Sequence, residues 1–270
     1  MQRSRSTKAV TSLAALCLTA CAHKPVVVPV TNAALATTDG LPGGDQRPEL
    51  LAHGERLCVA LAHREQRALG FRAATRALSL APEDRVTAFL VARCAFLTAD
   101  FETDAATIVA LTDAGLTAIQ KADPTGKDPL AAYYRALLLG MAVRLKGLDA
   151  IGELPKILDA LKLAKESPDV DLGGPLRVLG MLYLRAPAWP AGPGDLEAAL
   201  EELRQAVERY PSHPLNHLFF AEALVENDQQ QAALSELEVA RKLLRSELWG
   251  DANVDRWRTD VSTLETKLKH

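Results

Sequence analysis

The sequence is poor in aromatic residues and lacks the motifs on which most catalytic and nucleotide-binding sites depend. Aromatic residues make up 5% of the 270 positions, and runs of β-branched or aromatic residues are scarce after position 30, which argues against a sheet protein. The chain has no Gly-rich phosphate-binding loop, no Cys-x2-Cys pair and no His-Glu-x2-His segment. We therefore expect a non-enzymatic protein with no catalytic residues and no cofactor.

A metal centre is not expected either, although one pair of histidines has suggestive spacing. His213 and His217 are four residues apart, as two metal ligands on one helix face would be. Pro214 follows His213 directly, which places His213 in a turn before the helix begins. The two imidazoles then do not share a helix face.

An excess of basic residues is also absent. Lys and Arg number 31 against 34 Asp and Glu, a formal charge of −3 for the full chain. Removal of an N-terminal segment that carries Arg3, Arg5 and Lys8 leaves 28 minus 34, or −6. A mildly acidic chain without a basic patch is a poor partner for nucleic acid or for anionic lipid.

The N-terminus has an apolar run, but it is short. Residues Ala9 to Leu18 follow the basic positions and are too few to span a bilayer. The run ends in LTAC, with Cys21 last, which resembles the lipobox of bacterial lipoproteins. The resemblance implies a signal peptide at 1–20 and a lipid on Cys21. The alternative is an ordinary secretory peptide that is cut at an Ala-x-Ala-like site.

By the same analogy, the residue after the lipidated cysteine indicates where the protein is retained. That residue is Ala22 rather than Asp, which implies the outer membrane. We therefore expect a bacterial cell-envelope protein that is lipid-anchored and faces the periplasm. Residues 21–48, rich in Pro and Gly, are expected to form a flexible tether.

Two further cysteines, Cys58 and Cys94, lie in predicted helices among apolar neighbours. The expected compartment is oxidising and permits a disulfide. Disulfide geometry is demanding, however, and buried cysteines commonly act as small hydrophobic residues. The sequence favours two buried thiols and leaves the disulfide open.

The helical part shows a 34-residue period. Residues Leu176 to Tyr183 match the tetratricopeptide repeat (TPR) pattern W-x2-L-G-x2-Y with Leu in place of Trp. Small and apolar residues of the following helix recur 34 positions later: Ala199, Leu203 and Ala206 return as Ala233, Leu237 and Ala240. The spacing predicts an all-α fold of antiparallel helical hairpins, stacked as a TPR-like α-solenoid over 49–250.

The two ends of the repeat region are less regular. An earlier unit is predicted with its first helix around Leu57 to Leu61 and its second around Gly70 to Pro82. Residues 251–270 are predicted to form a C-terminal capping helix. Four of its residues would make a polar outer face: Asp255, Arg258, Thr259 and Lys267.

One hairpin carries an insertion with the sequence APAWPAG. Tyr183 and Ala199 are sixteen positions apart, whereas the equivalent Leu224 and Ala233 are nine apart. Its prolines stop the first helix and stiffen the loop, and Asp195 can cap the second helix. Trp189 then either covers the end of the hairpin, which is the favoured interpretation, or contacts a ligand or partner.

Three residues of one predicted helix are candidates for ligand binding. Tyr133 and Tyr134 are adjacent and therefore point about 100° apart. We expect one to enter the hairpin core and the other to reach the concave face or a neighbouring repeat. Arg144, later in the helix, could bind a carboxylate.

Several segments together resemble a known family, the T component (TatT family) of tripartite ATP-independent periplasmic (TRAP) transporters. The segments are the lipobox, DPLAAYYRALLLG (128–140), GGPLRVLGMLYLRAP (173–187), the Trp-Pro-Gly loop, and NHLFFAEAL (216–224). The resemblance covers roughly residues 50–250. It implies a helical lipoprotein that works with a periplasmic solute-binding protein and two membrane subunits, and that encloses an apolar channel.

The resemblance also adds residues to the candidate set. Arg177, Tyr183 and Trp189 occupy family-like positions and join Tyr133, Tyr134 and Arg144 as candidates for contact with a ligand or partner. A homo-oligomer is compatible with this assignment. The alternative function is a TPR scaffold lipoprotein for cell-envelope assembly, serving outer-membrane protein or polysaccharide machinery.

Overall fold

The computed structural model describes Leu41, residues 46–146 and residues 151–269. The expected signal peptide, Cys21 and most of the tether lie outside the described residues. The described part contains twelve helices. They are α1 (Arg47–Leu57), α2 (Arg64–Leu80), α3 (Arg85–Ala99), α4 (Ala105–Ala122), α5 (Pro129–Lys146), α6 (Leu154–Ala164), α7 (Gly174–Arg185), α8 (Leu196–Arg209), α9 (Pro214–Glu226), α10 (Gln230–Leu243), α11 (Ser246–Trp249) and α12 (Asp251–Leu268).

The helices pack as consecutive pairs. The first ten form five hairpins, from α1/α2 to α9/α10, and each hairpin also contacts the next. The prediction of an all-α, TPR-like α-solenoid is confirmed. Such solenoids bury a continuous core between neighbouring hairpins and leave extended concave surfaces, which is typical of scaffolds that bind proteins.

The 34-residue period corresponds to the hairpin core. All six recurring residues are fully buried: Ala199, Leu203, Ala206, Ala233, Leu237 and Ala240. Gly180 of α7 lies against α8 so closely that an added Cβ would stand 2.5 Å from Cγ of Leu203. The small residues are thus explained by close helix approach.

Aspartate residues cap the N-termini of three helices, α3, α4 and α8. Asp84, Asp104 and Asp195 each accept a hydrogen bond from a backbone N–H three residues on, at 3.1, 2.8 and 3.0 Å. Each bond satisfies one of the N–H groups that the first helical turn leaves without a partner. The predicted cap at Asp195 is confirmed.

The first hairpin differs from the prediction. Its first helix, α1, ends at Leu57, so residues 58–61, expected to be helical, form the connection to α2 instead. The expectation of two free thiols is wrong as well, because a disulfide joins Cys58 and Cys94 with a Cα–Cα distance of 5.0 Å. Gly70 leaves room for it, since a Cβ there would lie 2.8 Å from Sγ of Cys58.

The solenoid closes on itself. Helix α12 packs on α9 and α10, as a cap would, and it also reaches the first two hairpins. The amide of Asn253 donates to the carbonyl of Ala60 at 3.0 Å, and Arg256 pairs with Asp100 at 2.7 Å. The hairpins therefore form a ring, sealed between α12 and the N-terminal end.

Candidate functional site

The ring surrounds a partly open cavity of about 280 Å³, close to the lower end of the volumes usual for small-molecule sites. Its wall comes from α2, α3, α5, α6, α7, α9, α11 and α12, so every hairpin contributes. The cavity is thus a property of the closed solenoid and not of any single hairpin.

Most of the wall is apolar. The aliphatic and aromatic side chains that line it include Phe96, Leu97, Leu137, Met141, Ile157, Val178, Met181, Leu182, Phe219 and Trp257. Gly140 also lines the cavity, and an added Cβ there would meet no atom of the described residues within 4 Å beyond the adjoining turns of its own helix. Such a wall suits a ligand with an apolar body.

Charged residues form a belt in the same wall. Arg256 pairs with Asp100 at 2.7 Å, Arg177 pairs with Asp171 at 2.8 Å, and Arg185 pairs with Glu222. Partly buried ion pairs of this kind fix the positions of the helices that carry them. They also leave polar atoms within reach of a ligand.

Three guanidinium groups surround one carboxylate at the seam of the ring, which is the place where α12 meets the first two hairpins. Burial alone would raise the pKa of Asp100, but Arg256, Arg144 and Arg67 together hold it below the ordinary value. Arg67 is itself buried, donates to the carbonyls of Ala60 and Leu97, and stacks on Phe101 at 4.5 Å. Burial lowers the pKa of Arg67 to about 10, so it remains charged at neutral pH.

Arg144, a candidate from the sequence, lines the cavity beside this cluster. Its guanidinium makes no hydrogen bond within the part of the chain that the structure describes, whereas Arg256 and Arg67 are both held in place. The structure therefore leaves the Arg144 guanidinium available to a ligand.

Asp260 of α12 has a buried carboxyl oxygen, Oδ1, that finds no hydrogen-bond partner among the described residues. Burial raises the pKa of Asp260 to about 7, with Arg256 opposing and Glu222 adding to the shift. Asp260 is not among the candidates that the sequence indicates. Its signal is the spacing of Asn253, Arg256 and Asp260, which places all three on the inward face of α12.

An aromatic cluster, also missed, lies where α11 and α12 meet the α8–α9 turn. The His213 ring lies 4.6 Å from that of Trp249 and 6.0 Å from that of Trp257, and all three line the cavity. Burial lowers the pKa of His213 well below its ordinary value, and Arg177 and His217 add to the effect. His213 caps α9 by accepting from the N–H of Leu215. A neutral imidazole therefore fits this place.

The two adjacent tyrosines are placed differently. Tyr133 is buried, lines the cavity, and donates its hydroxyl to Asp171 at 2.9 Å. The ring of Tyr134 is tilted by 57° to that of Tyr133, with 5.4 Å between the ring centroids, and it packs against the cores of two neighbouring hairpins. Burial is the main cause that raises the pKa of Tyr134 to about 12. Tyr133 thus belongs to both the core and the cavity wall, while Tyr134 is a packing residue.

The other family-like residues have structural partners. Arg177 lines the cavity but is buried, and its guanidinium donates to Asn216 at 2.7 Å as well as to Asp171. Tyr183 is half-buried in α7, and its carbonyl accepts from the N–H of Asp195 at 2.9 Å. Arg177 therefore joins the α7 and α9 helices, and the backbone of Tyr183 anchors the insertion.

Trp189 lies at the tip of the insertion and is 86% exposed. The favoured interpretation, in which it covers the hairpin end, is therefore wrong. The loop is held by backbone bonds from Gly194 to Pro187 at 2.8 Å and from Ala191 to Ala188 at 3.1 Å. Side chains at 192 or 194 would collide with the Pro187 carbonyl. A constrained loop thus presents an indole to solvent, remote from the cavity wall.

Other features of the described residues point to no different site. A larger groove of about 500 Å³ runs between α4, α5 and α6, but it is shallower, and polar and apolar surface contribute about equally to its lining. In the described ranges, no three His, Cys, Asp or Glu side chains are grouped as metal ligands would be. Across the same ranges, no helix is both long and apolar enough to cross a membrane.

Comparisons with known proteins give little that bears on function. No protein-family profile and no curated protein matches the sequence. Among solved structures, the chain is similar to yeast Tom70, with 12% identity, 86% of this chain and 67% of that chain covered, and a TM-score of 0.34. That likeness is too low to carry an argument. The observed helical hairpins, and not a relative, establish the TPR-like fold.

Proposed function

We propose that this protein is a lipid-anchored periplasmic TPR-like lipoprotein that binds protein partners as the auxiliary component of a TRAP-type solute transporter. It is not an enzyme in this proposal. The observation that carries it is the ring of hairpins closed around an apolar cavity. An apolar channel within a helical solenoid is what the resemblance to the T component implies, and the motifs of that resemblance lie on α5, α7 and α9.

The proposal assigns separate surfaces to the two kinds of partner. A small ligand occupies the cavity, where the wall is apolar and partly charged. A protein partner contacts the Trp189 loop, because an exposed aromatic side chain on a stiff loop gives large contact area at little cost in entropy. The lipid on Cys21 keeps both surfaces near the membrane.

The test is isolation of the anchored protein from its native membranes after mild cross-linking, followed by mass spectrometry of what accompanies it. We expect a periplasmic solute-binding protein together with the transporter's membrane subunits. A Trp189→Ala variant should lose them while keeping its thermal midpoint, because the exposed indole contributes little to folding. Recovery of outer-membrane assembly or polysaccharide proteins instead would contradict the transport assignment and support the scaffold alternative.

The anchor is tested separately. Cys21→Ser should move the protein from the membrane fraction to the soluble periplasmic fraction, because the acyl chains are then missing. A Cys17→Ser variant, changed within the expected signal peptide, is the matched control and should remain with the membrane. Membrane association that survives Cys21→Ser would contradict the anchor.

A further inference from the structure

The cavity has an uneven distribution of charge. At the seam, the guanidinium groups of Arg67, Arg144 and Arg256 face one partly buried carboxylate, that of Asp100. Two of the three are held by strong contacts, Arg67 by backbone carbonyls and Arg256 by Asp100. Asp260 lines the same wall and acts on Arg256, so three guanidinium groups stand against two carboxyl groups, and positive charge is still in excess at this end of the cavity in the described part of the chain. An anion entering there would offset the excess.

The remaining wall near the seam is apolar. Phe96 and Leu97 of α3 and Leu137 and Met141 of α5 line the cavity close along the chain to Asp100 and Arg144. An inorganic anion would leave this surface in contact with water. A ligand that carries an anionic head on an apolar body would cover the wall and meet the charge at once.

We propose that the cavity binds a carboxylic acid with an apolar body, its carboxylate held by Arg144 beside the Arg67–Asp100–Arg256 cluster. A guanidinium matches a carboxylate in planar, two-bond geometry, and the hydrogen bonds are charge-assisted. This inference rests on the proposed function in one respect, that the cavity holds a ligand at all.

Asp260 then regulates the affinity, because it lines the same cavity one helical turn from Arg256. The charged groups that act on it are Arg256 on its own helix, Glu222 on α9 and Arg185 on α7. Because burial raises the pKa of Asp260 to about 7, its carboxyl loses a negative charge as the pH falls through neutrality. Repulsion of an anionic ligand decreases in the same range, so binding should tighten toward lower pH.

The test is isothermal titration calorimetry of the full-length protein with three probes of equal chain length, octanoate, 1-octanol and octylamine. We expect octanoate to bind about tenfold or more tightly than 1-octanol, the difference that a charge-assisted hydrogen bond produces, and octylamine to bind least. Arg144→Gln should weaken octanoate binding about tenfold and leave 1-octanol binding unchanged. Arg204→Gln, a change of an exposed arginine on α8, is the matched control and should alter neither.

A second variant tests whether the ligands occupy the cavity without changing any charged residue. Gly140 lies in a helix with open space at its Cβ, so Gly140→Leu should fill part of the cavity without disturbing the fold. We expect it to weaken octanoate and 1-octanol binding alike. For Asp260→Asn, we expect octanoate affinity that no longer changes between pH 6 and pH 8.

The outcomes separate this inference from the proposed function. Equal affinity for octanoate and 1-octanol, or an Arg144→Gln variant that binds octanoate as the wild type does, would overturn the carboxylate assignment and leave the ligand cavity intact. Absence of heat with all three probes would overturn both the assignment and the ligand role. The protein partners found by cross-linking would be unaffected by either result.

Discussion

At the level of single residues, Tyr133 and Tyr134 are neighbours in sequence but have different surroundings and different hydrogen bonding. The 100° turn between them predicts that they face different surroundings. It does not say which one finds a hydrogen-bond acceptor. That depends on Asp171, thirty-eight residues along the chain, whose carboxylate accepts from Tyr133 and from Arg177.

A conservative change tests this difference. Tyr133→Phe removes a buried hydrogen bond and should lower the free energy of unfolding by about 1 kcal/mol. Tyr134→Phe should lower it much less, since the Tyr134 hydroxyl makes no hydrogen bond within the described residues. Urea denaturation of both variants is the measurement. An equal loss in the two variants would show that the bond to Asp171 contributes nothing.

His213 predicts a dependence of stability on pH. Its pKa in the folded protein is lowered, so below its ordinary pKa of about 6.5 the unfolded chain binds more protons. The stability that neutral His213 contributes to the folded state is therefore lost as the pH falls below about 6.5. His217 has the opposite sign, because its pKa is raised in the folded state by Glu236 and the Pro211 carbonyl against the effect of burial.

The comparison that isolates His213 is the thermal midpoint of the wild type and of His213→Gln at several values from pH 7.5 to pH 5. The difference in thermal midpoint between the two proteins should shrink as the pH falls. Only the wild type has a buried imidazole that must stay neutral in the folded state while it protonates in the unfolded chain. A difference that is constant over the range would mean that His213 titrates alike in the folded and unfolded states.

At the level of helices, the repeat pattern was predictable because it is local. Small residues at 34-residue spacing identify the positions where two helices approach closely, and Gly180 with Leu203 is such a contact. The end of α1 was not predictable in the same way. Cys58 leaves the helix and meets Cys94 of α3, a contact between hairpins that no local pattern encodes.

Two glycines, Gly140 on the cavity face of α5 and Gly180 on the face of α7 that packs against α8, should respond in opposite ways to the same change. Gly180→Ala places a Cβ 2.5 Å from Leu203 and should destabilise the protein by about 1–3 kcal/mol through overpacking. Gly140→Ala meets open space and should stabilise it by about 0.5–1 kcal/mol, because alanine loses less backbone entropy in a helix. The measurement is the urea denaturation midpoint of each variant compared with that of the wild type. The same sign for both would contradict the assigned packing.

At the level of the whole molecule, the repeat pattern could not predict ring closure, although the family resemblance implied an enclosed channel. Closure depends on the small rotation at each hairpin summed over the solenoid, and it joins Asn253 to Ala60 across 193 residues. The outward polar face of the C-terminal helix was recognisable from the sequence. The role of the inward face, with Arg256, Trp257 and Asp260, was not recognisable, because these residues line a cavity that forms only in the closed ring.

The cavity, the charge cluster at its seam and the pKa of Asp260 all depend on that closure. The direct measurement is the distance between nitroxide labels at Leu61 and Asp255, both exposed, by pulsed electron spin resonance. A closed ring predicts one short, narrow distance distribution, and Arg256→Ala should broaden it by removing the pair with Asp100. A long or broad distribution in the wild type would mean an open solenoid and would contradict the enclosed cavity.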